Sequence, residues 1–231
     1  MEALFTFLFS SFTLVGGLNA ATMVVTTTGT LPATDGADIA SPSGLVDIGG
    51  NEGHVWNNRP RQGQVITTGS NPGGYNLDAY SVRVRVDQGS TTSPNWNIQV
   101  GSFDSGTGNV TEIALETATG VAIPNSTAGN SYPAVVTWSL DSPVFLAPNT
   151  EYAITVHAID GGGFISLSDD TNPYGGGTAI SGSIGSGSTA NPYTQHTGAD
   201  RFFHANIVAI PEPSSALFGL LGLVFVARRR R

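Results

Sequence analysis

The residues with catalytic potential are few and scattered. Four histidines, His54, His157, His196 and His204, are available to a Ser–His–Asp arrangement. The serine-bearing stretch Gly182-Ser183-Ile184-Gly185-Ser186-Gly187 has the look of a nucleophile motif. Such a motif needs a strand-to-helix turn in an α/β fold, and here it sits in loop composition. Glycoside hydrolysis needs two carboxyl groups facing one bond. The glutamates Glu52, Glu112, Glu116 and Glu151 include no two that spacing singles out. No catalytic residue is assigned, and the chain is expected to be noncatalytic. The histidines have no zinc-ligand spacing, and no resident cofactor is expected. Calcium is the one ion with a candidate site: Asp169-Asp170-Thr171-Asn172 places oxygen donors in a loop, the ligand type that hard cations favour. Asp169 and Asp170 would be its ligands, and turn capping is their plainer role.

Sugar binding is the sharper chemical alternative, because it needs only exposed aromatic faces among polar groups. Trp56, Tyr75, Tyr174 and Tyr193 are the candidates. Tyr174 and Tyr193 each follow a proline in Gly-rich sequence. Trp96 and Trp138 alternate with polar residues and are assigned to the core. Arg59 and Arg61 could hold an anion, or pair with a carboxylate of their own domain.

The elements that would position these residues are strands. Tyr80, Val82, Val84 and Val86 alternate with Ser81, Arg83 and Arg85. The same period of two recurs at Trp96–Val100, Val136–Leu140, Tyr152–Val156, Ile165–Leu167 and Phe203–Ile207. Successive strand side chains point to opposite faces, so each set has one buried and one wet side. Turn residues punctuate them, as in Asn71-Pro72-Gly73-Gly74 and Gly161–Gly163. The fold class is therefore all-β: an antiparallel β-sandwich, jelly-roll-like, flanked by an N-terminal signal helix and a short hydrophobic C-terminal helix. Four segments follow: a signal peptide at 1–21, an edge strand and loop at 22–53, the sandwich at 54–209, and a tail at 210–231. Residues 172–198 are expected to form a loop or short strands.

Composition narrows the function. The chain has 231 residues, no cysteine and no lysine. Disulfides and Cys-ligated metals are thus excluded. Between the terminal segments five arginines face fifteen acidic residues, a formal net charge of −10. Nucleic acid needs positive charge on its partner, so a nucleic-acid function is rejected. The same charge opposes anionic lipid, so membrane contact is expected only through the terminal segments.

Both ends read as processing signals. Residues 3–18, ALFTFLFSSFTLVGGL, form a short apolar run followed by Asn19-Ala20-Ala21. That is the order of a secretory signal, although Glu2 stands where a basic residue is usual. At the other end Pro211-Glu212-Pro213 precedes Ser214-Ser215, an apolar run from Ala216 to Val226, and the cluster Arg228, Arg229, Arg230 and Arg231. The run is about 18 Å long as a helix, against a hydrocarbon core of about 30 Å. The arginines would stay on the cytoplasmic side. This arrangement resembles the PEP-CTERM sorting domain of bacterial envelope proteins. The resemblance implies an exosortase-type membrane protease as partner and processing near Pro211–Pro213. Trp56–Gln64, Thr67–Ser70, Gly74–Leu77 and Leu146-Ala147-Pro148-Asn149-Thr150-Glu151-Tyr152 also resemble secreted choice-of-anchor-like β domains. That group brings no catalytic residues to carry over.

The expectation is an exported, noncatalytic protein of the envelope or extracellular matrix, membrane-associated before processing and then at the surface or outside. An exopolysaccharide-binding module is the alternative, and a secreted hydrolase stands third.

Overall fold

The computed structural model describes residues 20–26, 30–42, 54–55, 61–85, 95–119, 134–158, 164–165, 167–168, 174–182 and 191–212. All of the strand pairings among them are antiparallel. No helix appears among the described residues, and the terminal segments expected to be helical lie outside them.

The first sheet has seven strands: β1 (Thr22–Thr26), β2 (Ile39–Ala40), β3 (His54–Val55), β5 (Tyr75–Arg85), β8 (Ala134–Leu146), β10 (Phe164–Ile165) and β15 (Phe203–Ala209). Its long central strand β5 pairs with β8 on one side and with β15 and then β10 on the other. The second sheet runs in the order β13 (Thr194–His196), β12 (Ala179–Ser181), β4 (Gln62–Thr67), β9 (Glu151–Ala158), β6 (Asn95–Asp104), β7 (Asn109–Thr119). A two-stranded ladder joins β11 (Leu167–Ser168) to β14 (Asp200–Arg201).

Alternation builds the core between the two large sheets. Leu77, Tyr80, Val82, Val136, Trp138, Leu146, Phe203, Ala205 and Ile207 face inward from the first. Ile66, Trp96, Ile98, Val100, Tyr152, Ile154 and Val156 meet them from the second. The Trp96 and Trp138 rings touch edge to face, with centroids 6.1 Å apart, a geometry that aromatic quadrupoles favour. Both indoles are therefore core, as their alternation indicated.

Two expectations need correction, and one alternative is decided. The face of β5 expected to be wet is partly covered: Ser81 and His204 are buried, His204 against Asp38 from the segment before β2 and Ser81 beside Thr137, with their hydroxyl oxygens 2.8 Å apart. Arg83 likewise lies half-buried, with its guanidinium 5.1 Å from the Phe202 ring centre. The alternating run Ile165–Ser168 is not one strand but two, since Phe164–Ile165 pairs with β5 and Leu167–Ser168 with β14. Residues 172–198 do contribute strands, the short β12 and β13.

Candidate functional site

The chain leaves the first sheet through a turn built to grip it. Residues Asn71-Pro72-Gly73-Gly74 close a turn in which Gly74 N donates to Asn71 O at 2.9 Å. Gly74 has φ +76°, and an added Cβ would meet the Phe145 ring at 2.5 Å. At Gly73 an added Cβ would collide with Ile210 O. Glycine at 73 therefore lets the end of β15 lie against the turn, and glycine at 74 takes the positive φ and leaves room for Phe145 of β8. Ile210 N donates to Gly74 O at 3.0 Å. The Asn71 side-chain amide donates to Gly74 O at 2.6 Å and to Ile210 O at 2.9 Å. Beyond Ile210 the chain is free of the sheets: Pro211 and Glu212 are both exposed. Pro213 and Arg228, Arg229, Arg230 and Arg231 lie outside the described residues.

Neighbouring turns stiffen this end. The Thr68 hydroxyl donates to Ala147 O at 2.6 Å, and Asn149 N donates to Gly69 O at 2.8 Å. Asn149 takes φ 49° in the turn between β8 and β9. Tyr152 Oη accepts from Ala147 N at 2.7 Å, which binds the start of β9 back to the end of β8.

Two of the four candidate aromatics meet at this end. A cavity of about 400 Å³ is lined by Ala37–Ala40, Thr67–Gly69, Tyr75, Tyr174 and Ile207. Their polar atoms already serve the fold. Tyr75 Oη accepts from Asn71 N at 3.0 Å. Tyr174 Oη accepts from Thr67 N at 3.2 Å and donates to Thr67 O at 3.4 Å. The Tyr174 ring stands edge-on to Phe203, centroids 5.2 Å apart, and burial pushes its phenol pKa up.

A sugar platform needs an open ring face, and Tyr75 and Tyr193 do not supply one. Tyr75 is 7 % exposed and Tyr193 5 % exposed. Tyr193 lies on the outer side of the second sheet, in a small cluster with Val65, Phe103, Val110, Ala153 and Ile180. Its Oη donates to Gln99 Oε1 at 3.3 Å. Tyr174 remains half-buried. Trp56, Asp169 and Asp170 lie outside the described residues.

The buried titratable groups among the described residues are structural junctions. His204 Nε2 and Asp38 Oδ2 are 3.1 Å apart and both side chains are 3 % exposed. Asp38 Oδ1 accepts from Ile207 N at 2.9 Å, which fastens the segment before β2 to β15. Ser181 Oγ and His196 Nε2 are 2.7 Å apart across the β12–β13 pair, with Ser181 only 2 % exposed. Between the sheets Arg201 reaches Gln62 Oε1 and Ile180 O, while Asp200 accepts from Gln64 Nε2 at 2.7 Å and Tyr174 N at 2.9 Å. Burial raises the Asp200 pKa, and these donors pull it back. Arg61 is 8 % exposed, and its guanidinium donates to Gln99 Oε1 at 2.7 Å. Gln99 Nε2 in turn donates to Glu112 at 2.6 Å. Arg61 is thus connected to a carboxylate of its own domain through a glutamine. Among the described residues no three His, Asp or Glu side chains converge as metal ligands.

Comparison with known proteins bears on the exit of the chain. Residues 209–231 match the family model of the PEP-CTERM protein-sorting motif. Among curated proteins no sequence matches this chain. One solved structure that resembles it contains the cysteine protease and lectin-like domains of a surface layer associated protein of Clostridium difficile, at 9 % identity and TM-score 0.38. The match covers 66 % of this chain and 33 % of that one, so the chain spans about a third of its length. A likeness so slight bears on neither fold nor function.

Proposed function

We propose that this chain, which carries a PEP-CTERM sorting motif on an all-β body, is an exported noncatalytic protein of the envelope or extracellular matrix. The motif implies export and processing by exosortase, a membrane protease. The N-terminal signal directs the body across and is removed, the tail is held in the membrane, and cleavage beside Pro211–Pro213 frees the body to the surface or the medium.

The observation that carries this reading is the geometry of the exit. Ile210 is held by Asn71 and Gly74, and the next two residues are exposed. The sorting motif therefore begins where the folded body ends, accessible to a protease yet fixed to a rigid frame. The body's chemistry supports a noncatalytic role, because His204, Asp38, Ser181, His196 and Asp200 are engaged in joining strands and loops. The two sheets and their shared core favour a sandwich, which we read as one of jelly-roll type. Exopolysaccharide binding would have to use a surface other than Tyr75 and Tyr193, which are buried.

The test is the intact mass of the protein recovered by fraction from its native host. Loss of both the first ~20 residues and the tail beyond the Pro-Glu-Pro motif is expected. A chain ending in Arg231 in the membrane fraction would overturn the sorting reading in favour of a permanent anchor.

A further inference from the structure

We infer that the outer face of the first sheet beside the tail exit, carrying Phe145 and Val208, rests on the lipid surface while the tail is inserted. This inference rests on the sorting reading above, since it needs the tail to be held in a membrane.

Phe145 and Val208 are large apolar side chains left 54 % and 50 % exposed. They sit on strands flanking β5 and both pair with Asn76, Phe145 from β8 and Val208 from β15. Residues in register share a face, and neighbouring strands lie about 4.8 Å apart. The two side chains therefore form one row about 10 Å wide across the sheet, with Asn76 between them. The Phe145 ring is seated on Gly74, whose missing Cβ leaves room for it. The ring is thus held in place while half of it faces outward.

A single exposed hydrophobe needs no explanation. This pair has a particular address. The chain leaves the sheet two residues after Val208, through Ala209 and the gripped Ile210, and Ala209 and Pro211 are exposed beside it. From Ile210 to Ala216, where the apolar run begins, the chain takes six residue steps. Six extended residues span at most about 20 Å. Once the apolar run is in the bilayer, this end of the body cannot lie farther than that from the hydrocarbon edge.

Charge decides what kind of contact forms. The body's acidic surplus rules out attraction to anionic headgroups, so the contact must be apolar. Asn76, Phe145, Val208, Ala209 and Pro211 carry no charge, and the first charge on the tail, Glu212, lies beyond them. Two side chains would not hold a free protein on a membrane, since interfacial binding scales with buried apolar area. A short tether changes the arithmetic, because a linker this length sets an effective concentration in the millimolar range. A contact too weak to recruit the body is then sufficient to orient it.

The chain contains no cysteine, so single thiols can be placed at will. Val24 supplies the control: it is 50 % exposed, like Val208. Through Thr137 and Ser81 it sits in the row that reaches His204, four residues from Val208 along β15 and eight residues from Phe145 along β8. V208C and V24C, each in the chain from Thr22 onward that signal removal leaves and carrying an environment-sensitive fluorophore, are reconstituted with phosphatidylcholine vesicles containing a lipid-borne quencher. Flotation of the chain with the vesicles first tests the tail. The expected result is a floating chain in which V208C is quenched several-fold more than V24C, and in which Phe145→Ser removes that excess while the body stays folded by circular dichroism. A floating chain with equal quenching at both positions overturns the inference and leaves the sorting reading intact. Disulfide-linked V208C dimers on the vesicles overturn it too, by giving the patch to a second copy. A chain that does not float overturns the sorting reading and this inference with it.

Discussion

Asn71→Ala should loosen the exit of the chain and leave the rest of the body unchanged. One side-chain amide makes two hydrogen bonds there, to Gly74 O at 2.6 Å and Ile210 O at 2.9 Å. A typical hydrogen bond contributes about 0.5–1.5 kcal/mol net, so the two together bound the loss at about 1–3 kcal/mol. The upper end is too high here. Gly74 O keeps its bond from Ile210 N, and Ile210 is only half-buried, so water can replace the amide. About 1–2 kcal/mol remains, which is a factor of roughly 5–30 in the open fraction. The assay is native-state hydrogen exchange. The Ile210 amide, protected by Gly74 O, should exchange roughly 5–30 times faster in the variant. The Arg83 amide, which donates to Phe202 O in the same sheet, should keep its rate. An unchanged Ile210 rate would show that Asn71 does not hold the exit. Equal acceleration at both amides would show a global rather than a local effect. Either result refutes the idea that this turn grips the tail.

Other consequences can be measured on the same domain. Gly73→Ala should act in the same place by steric means, because its Cβ would collide with Ile210 O; faster exchange at Ile210 checks it. Leu77→Ala, at a fully buried core position, should cost about 2–5 kcal/mol in urea unfolding. Gly177→Ala should destabilise the body strongly, since its Cβ would overlap Val65 O, and a fall in melting temperature reads this out. Asp200 gives a pH test. Its pKa is raised in the folded state by burial, so the folded protein holds a proton that the unfolded chain has already released. Its contribution is therefore present below the ordinary carboxylate range and is lost as pH rises through the raised value. The stability of wild type relative to Asp200→Asn should fall as pH rises across that window, and a relative stability that rises would contradict the burial argument.

What sequence could reveal followed from how local each signal is. The alternation in β5, β6, β8 and β15 identifies inward side chains from neighbours two residues apart, and Tyr80, Trp96, Trp138 and Phe203 are accordingly core. The sorting tail is more local still, because a protease and a bilayer meet it as a linear string of proline, apolar run and arginines. Tyr193 could not be placed the same way. Loop composition pointed to exposure, but β13 folds back along β12 and carries the ring onto Val65, Phe103 and Val110. Gln62 and Gln64 look like outward polar residues in a strand, yet they meet Arg201 and Asp200, which lie 139 and 136 residues later. Such partnerships cross the whole chain and leave no spacing to detect. The same reasoning explains why the address is clearer than the task. A sorting signal must be recognisable before and apart from folding, whereas a binding surface is assembled by the fold. The Asn71–Gly74 turn joins the two, since a local turn sequence acquires its role only when β15 arrives from 139 residues away to be held by it.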